Sequence, residues 1–207
     1  MSVHVIFPAR MASQRLPRKA LADIHGMPMV IRPYQQVQKA KLVKSIVIAT
    51  DHQDIVDAAK AHGANVVMTS VKHNSGTDRI AEVISGISGN YKDSDIIINV
   101  QGDEPLIPPV NIDQVASNLL SLSDDIQIAT LCTPVEDLPD ILNPNYVKVV
   151  FDNNKLAMYF SRAPIPYARE FFPDKIPDGY NAYRHIGLYA YRCGFFKGYA
   201  KLVNNLD

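Results

Sequence analysis

Residues 3–7 read VHVIF, and residues 8–19 continue as PARMASQRLPRK. The first segment is short, apolar and rich in β-branched residues, which is typical of a buried strand. The second segment places Arg10, Arg15, Arg18 and Lys19 directly after that strand. Because like charges repel, cations crowded at the end of a buried strand suit an anion that binds there, and the alternative is a solvated basic loop with scattered salt bridges.

The first half of the chain repeats this opening pattern. Three further apolar runs, at 45–49, 65–69 and 95–100, are predicted to be buried strands. The segments between the runs carry apolar residues at helical spacing, which predicts helices over 28–40, 53–62 and 77–87. This β-α-β-α alternation predicts an α/β fold with a mainly parallel twisted sheet and helices on both faces.

The second half contains strands with few helices between them. Segment 151–155 (FDNNK) is typical of a hairpin turn, and the proline-containing segment 163–182 is predicted to be a long irregular loop. We therefore expect one domain with two halves, 1–125 and 126–207, of which the second adds a small mixed β subregion. The strands predicted in this half are 126–132, 147–151, 156–160 and 185–191.

Composition excludes several classes of protein. The 207 residues include 21 basic and 21 acidic side chains, so the net charge is zero, whereas a dedicated nucleic-acid binder carries a basic excess. The two cysteines, Cys132 and Cys193, have no CxxC spacing, which favours reduced core thiols over a metal or redox site. No apolar run is long enough for a signal peptide or a membrane span, so we expect a cytoplasmic protein with no membrane partner.

Three polar segments follow strands of the predicted sheet. They are residues 8–19, 69–79 and 101–105, and ligands of open α/β sheets bind beyond the carboxyl ends of the strands. We therefore expect these segments to surround one crevice. The chain has neither a GxxxxGK[ST] loop nor a GxGxxG loop after the first strand, so its phosphate site is of another type.

The segment NVQGDEP (99–105) places Asp103 and Glu104 after a strand of Ile and Val. These acids could be surface turn residues. However, carboxylates that face a polyphosphate repel it unless a cation intervenes, and Mg²⁺ is commonly held by one or two carboxylates together with substrate phosphates. With four cations predicted across the same crevice, we favour a Mg²⁺ site.

Other segments carry weaker signals. SGTDR (75–79) is explained mostly by helix capping, although Arg79 could lie near a base or a phosphate. In 183–192, His185 and Tyr189 are expected on one face of a strand, with Gly187 leaving space between them; this face could bind a substrate or could be packed sheet surface. Arg162 is expected at a strand end, where it could meet a substrate carboxylate.

Eight motifs together closely resemble the 3-deoxy-D-manno-octulosonate (KDO) cytidylyltransferases, also called CMP-KDO synthetases. The resemblance covers essentially the whole chain, with the motifs in the family's order. They are IFPARMASQRLPRKAL, HGMPM, VIATD, SGTDR, NVQGDEP, NPNYVKVV, YFSRAPIP and RHIGLYAY.

The resemblance implies a Rossmann-like nucleotidyltransferase fold and an enzyme that transfers CMP from CTP to KDO, releasing pyrophosphate, for lipopolysaccharide biosynthesis. It also implies a homodimer, and it makes 1–125 the nucleotide-binding half and 126–207 the sugar-binding half. By motif, the CTP phosphates would be held by Arg10, Ser13, Arg15 and Lys19, and the cytosine would lie near Ser75 and Gly76. Mg²⁺ would bind Asp103. The sugar acid would bind Gln101, Arg162, His185 and Tyr189. Arg10, Arg15, Lys19 and Asp103 would be the catalytic residues.

The sequence departs from the family at its end. The family continues with a LEQLR-like motif and a DTPEDL-like motif, which are expected to supply sugar contacts and a second metal-binding aspartate, whereas this chain ends at KLVNNLD. Two alternatives therefore stay open: a catalytically incomplete fragment that only binds nucleotide, and a cytidylyltransferase for a related sugar acid such as the 8-amino form. A single-stranded RNA binder is disfavoured, since the net charge is zero and residues 10–19 contain no aromatic side chain on which bases could stack.

Overall fold

A computed structural model describes residues 1–12, 16–87 and 91–203, without the side chains of residue 87 and residues 200–203. The chain divides into two compact units. The first comprises Met1–Ala129 together with Leu188–Asp207, and the second comprises Thr130–Gly187.

The first unit is built on the predicted parallel strands. β1 (Val3–Ala9), β2 (Val43–Thr50), β3 (Val66–Met68) and β4 (Ile96–Asn99) pair in parallel in the order β3-β2-β1-β4. The last residues of β8 (Ala182–Arg192) pair antiparallel with β4. The sheet is therefore mainly parallel, as predicted, with one antiparallel strand.

Helices cover both faces of this sheet. On one face Phe7 of β1 contacts Tyr34 of α1, with 6.3 Å between the ring centroids. On the other face Ile6 packs with Ile80 and Val83, the second of which follows directly after α3. The helices of this unit are α1 (Ile31–Val37), α2 (Gln53–Ala61), α3 (Gly76–Glu82) with a π-helical extension (Val83–Ile87), α4 (Pro109–Ser121) and α6 (Phe195–Val203).

The helices differ from the sequence prediction in length and in number. Helix α1 is shorter than the predicted 28–40, and the sequence analysis predicted neither α4 nor α6, nor the short helix Leu138–Leu142 of the second unit. Nevertheless, α4 carries the usual signals, since Pro109 occupies its first turn and the buried residues Ile112, Val115, Ala116 and Leu119 recur at helical spacing.

The second unit contains the predicted mixed β subregion. β6 (Lys148–Phe151) pairs antiparallel with β7 (Ala157–Ser161) and with β8, while β5 (Ile128–Val135) also pairs with β8 and leads to α5 (Leu138–Leu142). The predicted hairpin turn joins β6 to β7, and the carboxylate of Asp152 accepts hydrogen bonds from two backbone N–H groups within it. The predicted irregular loop separates β7 from β8.

No helix among the described residues is both long and apolar enough to cross a membrane.

Candidate functional site

A cleft of about 1050 Å³ opens in the first unit at the carboxyl ends of β1 and β4. Its lining comes from the segment after β1, which includes Arg10, Ala12 and Lys19, and from Gln101 to Asp103 after β4. These are two of the three segments that the sequence analysis placed around one crevice. The expected Ser13 and Arg15 lie outside the described residues.

Opposite charges face each other across this cleft. The ammonium of Lys19 forms an ion pair with the carboxylate of Asp103, and the two side chains are 31% and 43% exposed. The carboxylate is therefore accessible from solvent and already has a cation beside it. The third segment, residues 69–79, approaches the cleft wall through the start of α3.

The start of α3 packs against the cleft wall. A Cβ added to Gly76 would lie 3.0 Å from Cγ of Pro8, and Pro8 lines the cleft. Neither Ser75 nor Gly76 is itself among the described residues that line the cleft. The Ser75 side chain instead caps α3, because its oxygen accepts a hydrogen bond from the backbone N–H of Asp78 and the Asp78 carboxylate accepts one from the N–H of Ser75. The predicted capping is confirmed.

Arg79 is buried rather than exposed to a ligand. Its side chain is 3% exposed, and its guanidinium donates to the carboxylate of Asp51 at 2.8 Å and to the hydroxyl of Thr69. The other oxygen of Asp51 accepts a 3.3 Å hydrogen bond from the backbone N–H of Met11. Arg79 therefore contacts Asp51 instead of the suggested base or phosphate. Together, Arg79 and Asp51 hold the cationic loop after β1 in place.

Asp51 is a residue that the sequence analysis did not single out. The signal for it is the position of an acid at the end of β2, in VIATD, because the carboxyl ends of parallel strands β1 and β2 are neighbours. A second acid, Asp54, pairs with Arg18 at 2.6 Å near the other end of the loop. Arg18 is thus tied to α2. The sequence motifs gave Arg18 no ligand.

Two of the expected sugar-binding residues lie in the second unit. The Arg162 side chain is exposed and donates to the backbone carbonyl of Pro144 at 2.9 Å. The ring of His185 shares a 2.9 Å hydrogen bond between its Nε2 and the hydroxyl of Thr130, and packs edge-on against Phe160. Burial lowers the pKa of His185 below its ordinary value, so the ring is neutral at pH 7.

The other two, Gln101 and Tyr189, lie in the first unit. Gln101 lines the cleft. Tyr189 is half-buried and stacks on Tyr191 with 6.0 Å between ring centroids, and burial raises the pKa of its hydroxyl. A Cβ added to Gly187 would meet no atom within 4 Å, so the predicted space at this glycine is present.

A mainly parallel α/β sheet with cations and an accessible carboxylate at the carboxyl ends of its strands has the site position typical of nucleotide-binding α/β proteins, the class that includes the nucleotidyltransferases. Within that class, the chain belongs to the cytidylyltransferase family, whose model matches residues 4–205. The resemblance found in the sequence is thereby confirmed.

Two curated relatives carry the same name. The chain is 52% identical over 202 residues to the 3-deoxy-manno-octulosonate cytidylyltransferase of Francisella tularensis subsp. tularensis, which covers 98% of this chain and 79% of that protein. The enzyme of the same name from Actinobacillus pleuropneumoniae serotype 7 is 51% identical over 203 residues, covering 96% of this chain and 79% of that protein.

Solved structures give the same result for the fold. CMP:2-keto-3-deoxy-manno-octonic acid synthetase complexed with CTP matches with a TM-score of 0.87 at 35% identity, over 98% of this chain and 78% of that one. A cytidylyltransferase from Leptospira borgpetersenii matches with a TM-score of 0.52 at 25% identity, over 62% of this chain and 52% of that one. The predicted Rossmann-like nucleotidyltransferase fold is confirmed.

Proposed function

We propose that this chain transfers CMP from CTP to KDO, forming CMP-KDO and pyrophosphate for lipopolysaccharide biosynthesis. The observation that carries the proposal is the cleft at the carboxyl ends of β1 and β4, which Arg10 lines and in which Lys19 pairs with Asp103. The names and the CTP complex of the relatives support the choice of CTP and KDO as substrates.

The residue roles proposed here follow the sequence motifs. The loop after β1 binds the CTP phosphates, and the start of α3 lies near the cytosine. A third group of residues, drawn from both units, binds the sugar acid. The phosphate ligands are Arg10, Ser13, Arg15 and Lys19; the cytosine neighbours are Ser75 and Gly76; the sugar-acid ligands are Gln101, Arg162, His185 and Tyr189.

A divalent cation, Mg²⁺, is part of the proposal, with Asp103 as its protein ligand. The described residues hold no group of three or more His, Cys, Asp or Glu side chains that could bind a metal. Mg²⁺ is often held by one or two carboxylates while phosphates and water complete its coordination. Asp103 supplies an accessible hard oxygen, and the ammonium of Lys19 lies beside it. When bound, Mg²⁺ neutralises phosphate charge and polarises the reacting oxygens.

The chain's own residues act by positioning and by charge. The anomeric hydroxyl of the sugar acid attacks the α-phosphorus of CTP and gives up its proton to water. A P–O bond forms to the sugar oxygen, and the bond from the α-phosphorus to the oxygen that bridges it to the β-phosphate breaks to release pyrophosphate. Arg10 and Lys19 stabilise the negative charge that accumulates on the leaving pyrophosphate. His185, being neutral, orients the sugar acid through a hydrogen bond rather than through charge.

The proposal is tested by the rate of pyrophosphate release from CTP, Mg²⁺ and KDO in wild type and in Asp103→Asn. Loss of the carboxylate charge is expected to reduce kcat by roughly a hundredfold to a thousandfold, the range for a group that stabilises transition-state charge. Glu104→Gln is the matched control, because the neighbouring acid is not among the described residues that line the cleft. Equal rates in wild type and Asp103→Asn would show the metal assignment to be wrong. Binding of CTP without turnover on any sugar acid would instead favour a nucleotide-binding fragment.

We also propose that the protein is a homodimer. β7 lies at the end of its sheet order and exposes apolar side chains, with Met158 72% and Tyr159 63% exposed. Exposed apolar edge strands favour association with another chain. The cytoplasmic location remains a prediction from the sequence.

A further inference from the structure

Lys148, in β6 of the second unit, is a charged residue with no exposed surface. Its ammonium donates three hydrogen bonds, to the backbone carbonyls of Asn143 at 2.9 Å, Tyr146 at 2.8 Å and Arg162 at 2.7 Å. A lysine ammonium has three N–H donors, so this set uses all of them. No ion pair within the described part of the chain joins Lys148 to a carboxylate.

The three carbonyls come from two different segments. Two belong to the turn of residues 143–146, between α5 and β6, which we call the 143–146 turn. The third belongs to Arg162, which follows directly after β7. Burying a charge is costly unless the charge is hydrogen-bonded, so the buried ammonium is most stable when all three carbonyls stay in place. Lys148 therefore ties the backbone of Arg162 to the 143–146 turn.

The side chain of Arg162 returns to the same turn. Its Nη1 donates to the carbonyl of Pro144 at 2.9 Å. The outer side of the turn is covered as well, since the guanidinium of Arg184 lies over the Tyr146 ring, 3.6 Å from the centroid. Both the backbone and the guanidinium of Arg162 thus depend on a turn whose carbonyls Lys148 holds, while the Arg162 side chain itself stays exposed.

We infer that Lys148 is a positioning residue for sugar-acid binding, which acts by holding Arg162 and the 143–146 turn in one arrangement. The inference rests on the proposed function, in which Arg162 binds the carboxylate of the sugar acid. Arginine pairs with a carboxylate through two parallel N–H···O bonds, and this geometry requires a fixed guanidinium plane. Lys148 cannot reach the ligand itself, because it is completely buried.

A purely structural role would give a different result. If Lys148 only stabilised the second unit, its replacement would lower thermal stability without a selective effect on one substrate. If it positions Arg162, its replacement raises KM for the sugar acid while KM for CTP, whose proposed ligands lie in the first unit, stays unchanged. The two roles are therefore separable by kinetics in a folded variant.

The experiment compares wild type, Lys148→Met, Arg162→Ala and the double variant in pyrophosphate release, with KDO and CTP varied separately. Lys148→Met is expected to raise KM for KDO roughly tenfold to a hundredfold, the cost of misplacing a binding group by about 1 Å, with KM for CTP within about twofold of wild type. The double variant is expected to match Arg162→Ala, since Lys148 acts through Arg162. Lys155→Met, at an exposed lysine of the same unit, is the matched control and should behave as wild type.

Several outcomes would overturn the inference. The first is an unchanged KM for KDO in folded Lys148→Met. The second is an equal increase of KM for KDO and of KM for CTP. The third is a KM increase in the double variant that equals the product of the increases in the two single variants. If Lys148→Met does not fold, Lys148→Gln, which keeps two N–H donors, takes its place; failure of both variants to fold assigns Lys148 to stability alone. An inactive wild type overturns the proposed function and this inference with it, whereas an active wild type with an insensitive Lys148 overturns the inference alone.

Discussion

The cationic loop after β1 is held by acids that lie outside the cleft lining. Asp51 accepts the backbone N–H of Met11 and pairs with the buried Arg79, and Asp54 pairs with Arg18. The Asp51–Arg79 pair is well shielded from solvent, and each partner has further hydrogen bonds, which is the condition under which a buried ion pair is tolerated. At the scale of single residues, the site therefore consists of ligand-facing cations and of acids that support the loop carrying them.

Two half-buried histidines predict how stability depends on pH. Burial lowers the pKa of His4 and of His185 below the ordinary 6.5. Below pH 6.5 the unfolded chain therefore binds more protons than the folded one, and stability must fall as the pH falls. Burial raises the pKa of Glu82 and Asp95, but hydrogen bonds from backbone N–H groups, together with a nearby histidine in each case, outweigh burial and lower both pKa values. A hydrogen bond with the Ser123 side chain lowers the pKa of Asp125. These carboxylates act at more acidic pH, since their ordinary values are 4.5 for Glu82 and 3.8 for both aspartates.

The measurement is the unfolding temperature between about pH 8 and about pH 5.5, a window that contains the ordinary histidine pKa. We expect a plateau at the alkaline end and a decline on the acidic side. The decline should be shallower in His4→Gln and in His185→Gln. A rise in the unfolding temperature on acidification would contradict this assignment of neutral, half-buried rings.

At the scale of elements, the start of α3 is placed by contact with the first strand. Gly76 lies where a Cβ would approach Cγ of Pro8 to 3.0 Å and its Cβ to 3.3 Å. Both Pro8 atoms belong to a rigid ring, so a side chain at position 76 would have to displace α3 or the cleft wall. The absence of a side chain at this glycine is thus part of the shape of the cleft.

Gly76→Ala is expected to destabilise the protein by about 1–3 kcal/mol, the usual cost of forcing an extra group into a packed contact, and to raise KM for CTP. Gly198→Ala is the matched control, because a Cβ there meets no atom within 4 Å and alanine favours the α6 helix by about 0.5–1 kcal/mol. Denaturant unfolding and CTP kinetics on both variants provide the test. A Gly76→Ala protein as stable as wild type and with unchanged KM for CTP would contradict this view of the contact.

Elements with strong local signals could be predicted from the sequence. The buried strands β1, β2 and β4 and the capping of α3 were predicted because apolar runs and a Ser-x-x-Asp cap are local patterns. The contacts of Arg79 and Lys148 could not be predicted in the same way. Arg79 of α3 pairs with Asp51, which follows directly after β2, and Lys148 donates to backbone carbonyls, which any residue type supplies and which therefore leave no signal in the sequence.

At the scale of the whole molecule, the exposed apolar strand β7 predicts the oligomeric state. Met158→Lys places a charge in the most exposed apolar position of that strand and should convert the proposed homodimer into a monomer, because a charge is costly to bury in an interface. Val71→Lys, at an exposed valine of the first unit, is the matched control and should leave the dimer intact. Light scattering after size-exclusion chromatography measures both masses. A monomeric wild type would contradict the dimer proposal.

The central claim is that this chain joins CMP to KDO with release of pyrophosphate. The most direct measurement is the product balance of one reaction that contains the chain, CTP, Mg²⁺ and KDO, followed by phosphorus NMR and mass spectrometry. We expect CMP-KDO and pyrophosphate in equal amounts, and neither product when KDO is omitted. Unchanged CTP, or CTP consumed without formation of a CMP-sugar, would contradict it.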